Sequence, residues 1–242
     1  REATLLYFRK TDLTAENKES ARFDPVTVAD RLSEERMRAI LAQRRPQDGI
    51  LGEEYGSTAG TSGLTWVLDP IDGTRAFIAG EKHFAISIAM AERGRVVAGA
   101  IYLPALDRLY TATEHGHALC NGNPINCASR RGLSGSTLLM SKGFLEPDHW
   151  HRPPHELKRS FRSSIAYRLC LIAEGSFDGM ISTRDAWEWD IAAGSLIAAQ
   201  AGAAVSDKHG VALRFNSPGA KTPGIFTAPV AVHREVLDNF KA

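Results

Sequence analysis

Trp66-Val67-Leu68-Asp69-Pro70-Ile71-Asp72-Gly73-Thr74 is the stretch on which the reading of this chain turns. Trp66 to Leu68 is an apolar, strand-like run that delivers Asp69 at its end. Pro70 has no backbone N–H and a fixed φ, so pairing is expected to stop there and the chain to turn. Asp72 then returns beside Asp69, and two carboxylates face one point. Like charges that close are unfavourable unless a cation lies between them. Hard oxygen donors of this kind suit Mg²⁺, which shares its shell with waters and substrate phosphate. Gly73 lets a phosphate approach the backbone. Thr74 places a hydroxyl where a short helix over 75–79 is expected to begin, with its first N–H groups unpaired. A bare D-x-x-D-G is more often a turn with two solvated aspartates. The apolar run before it and the threonine after it favour metal and phosphate.

Working outward, Gly52-Glu53-Glu54-Tyr55-Gly56 sets adjacent carboxylates in a glycine-flanked loop, and Trp187-Glu188-Trp189-Asp190 sets an acid at the start of a later helix. Singly, these read as a solvated loop and an ordinary N-cap. Together they supply the further carboxylates a two-metal site needs. Between the motifs, 29–45 and 166–173 read as helices, as does 191–201 with Gly202 as its cap. Strands are expected at 66–68, 84–91, 96–103, 109–113, 138–140 and 177–182, and an irregular connection at 144–158. That order predicts an α/β (α+β) layered sandwich. An N-terminal α+β part with an antiparallel sheet spans 1–131, and a C-terminal α/β part spans 132–242 and supplies Asp190.

The series Gly52-Glu53-Glu54, Asp69-Pro70-Ile71-Asp72-Gly73-Thr74 and Trp189-Asp190-Ile191-Ala192-Ala193-Gly194 resembles the three motifs of the inositol monophosphatase superfamily of Mg²⁺-dependent, lithium-sensitive phosphatases. Asp30 is similar to a further acidic position of that family. The resemblance implies an αβαβα sandwich of the inositol monophosphatase and fructose-1,6-bisphosphatase type. It implies that Glu53, Asp69, Asp72, Asp190 and the Ile71 carbonyl hold two or three Mg²⁺ ions. By the same likeness Glu53 and Thr74 activate the attacking water, and Gly73 and Thr74 offer backbone N–H groups to the phosphate. A homodimer is implied too. Inositol-specific members carry a glutamate seven residues before the last aspartate. Here that position is Thr183, so strict inositol specificity is not expected.

Ser163-Ser164, the segment Cys170 to Gly175 and Glu188-Trp189-Asp190 look like the branch that acts on 3′-phosphoadenosine 5′-phosphate. Asp69 to Phe77, with Gly49 to Glu54, is equally similar to the histidinol-phosphate phosphatase branch. Ser164 and Arg184 are candidate substrate contacts, Arg184 for a second substrate charge. The expected activity is hydrolysis of a small phosphate ester by metal-activated water without a phosphoenzyme. A regulatory role with the transcription machinery, as in some relatives, is the alternative.

Composition narrows the partners. The 242 residues carry 29 Lys+Arg against 28 Asp+Glu, a net charge of +1. Such a chain has no overall field for nucleic acid or anionic lipid, and neither is an expected partner. Three cysteines are too few for a disulfide framework, and no secretory leader pattern opens the sequence, so the cytoplasm is the expected location. A haloacid-dehalogenase reading of Asp72-Gly73-Thr74 fails because Pro70 stands where the nucleophile belongs. His115-Gly116-His117 and His149-Trp150-His151 lack the further ligands zinc needs.

Overall fold

The computed structural model describes residues 2–9, 15–19 and 22–241. Helix α1 (Glu2–Tyr7) and the hairpin of β1 (Ala15–Glu19) and β2 (Arg22–Thr27) lead into α2 (Val28–Arg44). Thr27 opens α2 with a capping box. Its hydroxyl accepts the Ala29 N–H at 3.1 Å, and its own N–H donates to Asp30 Oδ2 at 2.8 Å.

The chain then builds an eight-stranded sheet from β3 (Gly49–Gly52), β4 (Gly56–Thr58), β5 (Leu64–Asp72), β6 (Ala85–Glu92), β7 (Arg95–Leu103), β8 (Arg108–Thr113), β9 (Leu119–Cys120) and β10 (Asn123–Pro124). Their order is β10-β9-β8-β7-β6-β5-β3-β4, antiparallel except where β3 runs parallel to β5. Helix α3 (Thr74–Ile78) follows β5 at once.

One expectation is corrected here: Pro70 does not end the strand. β5 runs through it to Asp72, and the proline sits in an irregularity of the ladder to β6. Asp69 pairs with Ser87 and Asp72 with Ala85, so three steps on β5 oppose two on β6. That is the arithmetic of a bulge, where a missing N–H costs no ladder bond. Residues three apart on a regular strand face opposite sides. The extra residue returns Asp72 to the side of Asp69.

A second sheet uses β11 (Thr137–Leu139), β12 (Lys158–Ser160), β13 (Gly179–Ser182), β15 (Ala203–Ser206) and β17 (Ile225–Pro229) in the order β12-β11-β13-β17-β15. β14 (Ala186–Trp187) pairs separately with β16 (Lys221–Thr222). Helices α4 (Ile165–Ala173) and α5 (Glu188–Gln200) lie between the two sheets, and α6 (Val230–Asn239) packs on the far side of the second. With α1 and α2 outermost on the other side, the layers run α-β-α-β-α. α5 starts three residues before the expected 191, so Asp190 lies in its first turn and is not its cap.

Burial follows the layers. α5 is buried almost all round, as a helix flanked by two sheets must be. Its small residues let it settle deeply. A Cβ on Gly99 of β7 would lie 3.0 Å from Ala193 Cα, and one on Gly194 would lie 2.5 Å from Leu169 Cδ1 of α4. A second core, with Trp150, Phe226, Val232 and Phe240, joins the smaller sheet to α6, and Ile71, Phe77 and Phe84 form a third beneath α2. Among the described residues no helix is long and apolar enough to cross a membrane.

Candidate active site

β5, α4 and α5 converge on a polar cavity of about 270 Å³ lined by Glu53, Asp69, Ile71, Asp72, Gly73, Thr74, Arg75, Ser163, Trp187 and Asp190. A larger, apolar concavity of about 480 Å³ lies against β5 to β9 and has no carboxylate in its lining, so the chemistry belongs to the smaller one.

Each carboxylate is placed by a separate device. Asp69 stands opposite Ser87, whose hydroxyl donates to the Trp189 carbonyl at 3.0 Å; this brings the first turn of α5, and Asp190 with it, against β5. Asp72 Oδ2 accepts the Ser164 hydroxyl and the Ala166 N–H, both at 2.5 Å, at the start of α4. Ser164 caps that helix by accepting the Tyr167 N–H at 2.9 Å. Glu53 continues the parallel pairing beyond β3, its N–H donating to the Leu68 carbonyl at 3.2 Å. The turn after it is held by Glu34 of α2, which accepts the Glu54 N–H at 2.7 Å and the Tyr55 N–H at 3.3 Å. A Cβ on Gly52 would fall 2.0 Å from Glu34 Oε1, so a larger residue there would displace the carboxylate that holds the turn.

Gly73 adopts φ +92°, the left-handed region that glycine occupies without strain. The Thr74 hydroxyl donates to the Ile71 carbonyl at 3.1 Å and lies 3.4 Å from Asp30 Oδ1. Asp30 therefore acts behind Thr74 and does not line the cavity.

Oxygens of Asp69, Asp72 and Asp190 all lie within 4.8 Å of one another. At an effective dielectric constant of about 20, two unit charges at that distance repel by roughly 3–4 kcal/mol. Three such pairs approach the whole stability of a domain. Neither oxygen of Asp69 has a hydrogen-bond partner among the described residues, although both are buried. Burial pushes the Asp69 carboxyl well above the usual carboxylate range, and the charges of Glu53, Asp72 and Asp190 push it further. Asp190 is raised by burial and by Asp72 and Glu53. Asp72 is raised by burial, against the opposing pull of its bonds from Ser164 and Ala166 and the charge of Arg168. An all-oxygen donor set with a buried, partnerless carboxylate fits a hard divalent cation.

Of the residues expected from the sequence, Glu53, Asp69, Ile71, Asp72, Gly73, Thr74 and Asp190 meet in this cavity. Ser164 stands behind Asp72. Arg184 is exposed on the turn between β13 and β14 and is absent from the cavity lining. Sequence reading missed Glu34, whose helical position carries no motif. It quoted Ser163 and Trp187 within its motifs without placing them in the cavity, and it read Arg75, which directly follows Thr74, only as the start of a helix.

The profile described as "Inositol monophosphatase family" matches residues 2–233. An inositol-1-monophosphatase of Rhizobium meliloti is 35% identical over 196 residues, covering 77% of this chain and 73% of that protein. A histidinol-phosphatase of Mycobacterium tuberculosis is 31% identical over 256 residues, covering 100% of this chain and 93% of its own length. Among solved structures, the extragenic suppressor protein suhB of Bartonella henselae superposes with a TM-score of 0.85 at 28% identity, covering 98% of this chain and 92% of that one.

Proposed function

Because this chain belongs to the inositol monophosphatase family, we propose that it is a Mg²⁺-dependent phosphomonoesterase acting on a small phosphate ester. Candidate substrates are a polyol phosphate, 3′-phosphoadenosine 5′-phosphate or histidinol phosphate, and water is the nucleophile. The observation that carries this reading is the buried Asp69 carboxylate, without a donor among the described residues, inside a cluster of acids.

Glu53, Asp69, Asp72, Asp190 and the Ile71 carbonyl would hold the ions. Bound divalent cations lower the pKa of a coordinated water and offset charge on the attacking and leaving oxygens of a phosphate. Thr74, anchored on Ile71 and Asp30, orients the water together with Glu53, which accepts its proton. The Gly73 and Thr74 N–H groups would meet the phosphate, in a turn that Gly73 allows through its left-handed φ of +92°. Ser164 and Ala166 fix one Asp72 oxygen and leave the other for the metal.

Purified protein is expected to release phosphate from members of a panel of inositol, histidinol, sugar and nucleotide phosphates. Release should require Mg²⁺, stop with EDTA and be lost in Asp72→Asn. Absence of release from every member of the panel would overturn the reading.

A further inference from the structure

Behind the acid cluster lies a positive charge that the metal-holding groups leave unexplained. Arg168 of α4 is buried, at 9% exposure, yet forms no ion pair among the described residues. Its Nη2 donates to the Ser163 carbonyl at 3.2 Å and its Nε to the Ser164 carbonyl at 3.4 Å. The guanidinium carbon lies 4.8 Å from the centroid of the Phe161 ring. A guanidinium taken out of water with no carboxylate beside it is costly, and two neutral carbonyls and a ring offset only part of that cost. The carboxylates whose charge reaches it are Asp72 and Asp190, which oppose the fall in its pKa that burial causes.

Helix geometry fixes where this charge sits. Arg168 stands one turn along α4 from Ser164, and its backbone N–H donates to the Ser164 carbonyl at 3.2 Å. Ser163 lines the cavity, while the Ser164 hydroxyl and the Ala166 N–H hold Asp72 Oδ2. The side chain folds back over the turn that grips Asp72, as long side chains on a helix do, and ends behind the cavity wall. It is absent from the cavity lining, so its reach into the site is electrostatic. The pull is mutual: Arg168 draws the carboxyls of Asp72 and Asp190 downward, against the burial that raises them.

A cluster of acids short of cations and a buried guanidinium short of an anion answer each other across the start of α4. We propose that Arg168 is a fixed counter-charge of the metal centre, which stabilises the acid cluster while no ion is bound and weakens the binding of divalent cations by repelling them. It is a positioning residue that acts through Asp72 and Asp190, without touching ion or substrate. The assignment rests on the metal-dependent reading above and adds a residue that tunes ion affinity from outside the ligand set.

Calorimetric titration with Mg²⁺ alone reads this without substrate or turnover. Arg168→Gln keeps amide donors and loses the charge; it should bind Mg²⁺ roughly 10-fold tighter than wild type, whereas Arg168→Lys should stay near the wild-type value. In EDTA, Arg168→Gln should melt below wild type, and saturating Mg²⁺ should close most of that gap. Equal or weaker affinity in Arg168→Gln overturns the proposal, as does a melting deficit of the same size with and without Mg²⁺, the mark of a packing role. A double-mutant cycle in EDTA is an independent arm: in an Asp190→Asn background the loss caused by Arg168→Gln should shrink, and full additivity overturns the proposal too. Arg168→Met is the second variant, with the same outcomes, should Arg168→Gln fail to fold. If wild type takes up no Mg²⁺ but the coupling to Asp190 is present, the metal-dependent reading fails and the counter-charge role toward the acids stands.

Discussion

At Asp69 two buried carboxylate oxygens have no donor among the described residues and face Asp72 and Asp190 within 4.8 Å, so function and stability oppose each other at one side chain. Replacing it with asparagine removes a repelling charge and supplies an amide donor. In EDTA, Asp69→Asn should therefore unfold several degrees higher than wild type, while phosphate release with Mg²⁺ drops by at least about 100-fold. A lower melting temperature in EDTA would contradict the electrostatic account. The pH dependence follows from the raised carboxyls of Asp69 and Asp190. Groups whose folded pKa exceeds the unfolded one stabilise the fold below the ordinary value of 3.8 and lose that contribution as pH rises through the folded value. Metal-free protein should accordingly lose stability across that interval, and the gain in melting temperature on adding Mg²⁺ should be larger at neutral than at acid pH.

Among elements, the junction of β5, α4 and α5 is where small changes propagate. Ser164 both caps α4 and donates to Asp72. Ser164→Ala should cost about 1–2 kcal/mol of stability, as lost caps do, and weaken Mg²⁺ affinity by roughly 10–100-fold. Loss of stability with unchanged metal affinity would show that the serine serves only the helix. Gly194 is constrained by packing alone: its φ is not in the left-handed region, but an added methyl would meet Leu169 at 2.5 and 2.7 Å. Gly194→Ala should overpack α4 against α5 and lower stability by about 1–3 kcal/mol, read as a falling denaturant midpoint. Gly143→Ala, with nothing within 4 Å of the new Cβ, is the matched control. The helices and strands at 28–44, 85–92, 95–103, 108–113 and 165–173 were readable because their apolar spacing is local. β15, β17 and α6 escaped notice. Two are strands of four and five residues, too short to show a period, and α6 has only three buried side chains.

For the molecule as a whole, the α-β-α-β-α layering places α4 and α5 between two sheets and leaves α6 to close the second core. That closure carries its own titration. His233 of α6 lies 2.9 Å from the Ser206 hydroxyl of β15, and burial lowers its pKa from 6.5. A buried neutral imidazole binds its proton more weakly folded than unfolded. Its contribution is complete above 6.5 and lost as pH falls below it, opposite in sign to the carboxylate cluster. The stability difference between wild type and His233→Gln should therefore shrink as pH drops from 7 toward 5. A pH-independent difference would assign His233 a packing role alone.

The donor inventory, the longer helices and strands and the family resemblance were legible in the residues alone. Acids, glycines and apolar periods are local properties that neighbouring residues specify. How the donors converge depends on the folded chain. The bulge that turns Asp72 to the side of Asp69 exists through pairing with β6, and the Ser164 hydroxyl reaches Asp72 across 92 residues of chain. Lys221 meets Trp187 because β16 pairs with β14. Such contacts are fixed by strand register and helix packing, which depend on the whole chain closing around its cores and leave no mark at the residues they bring together.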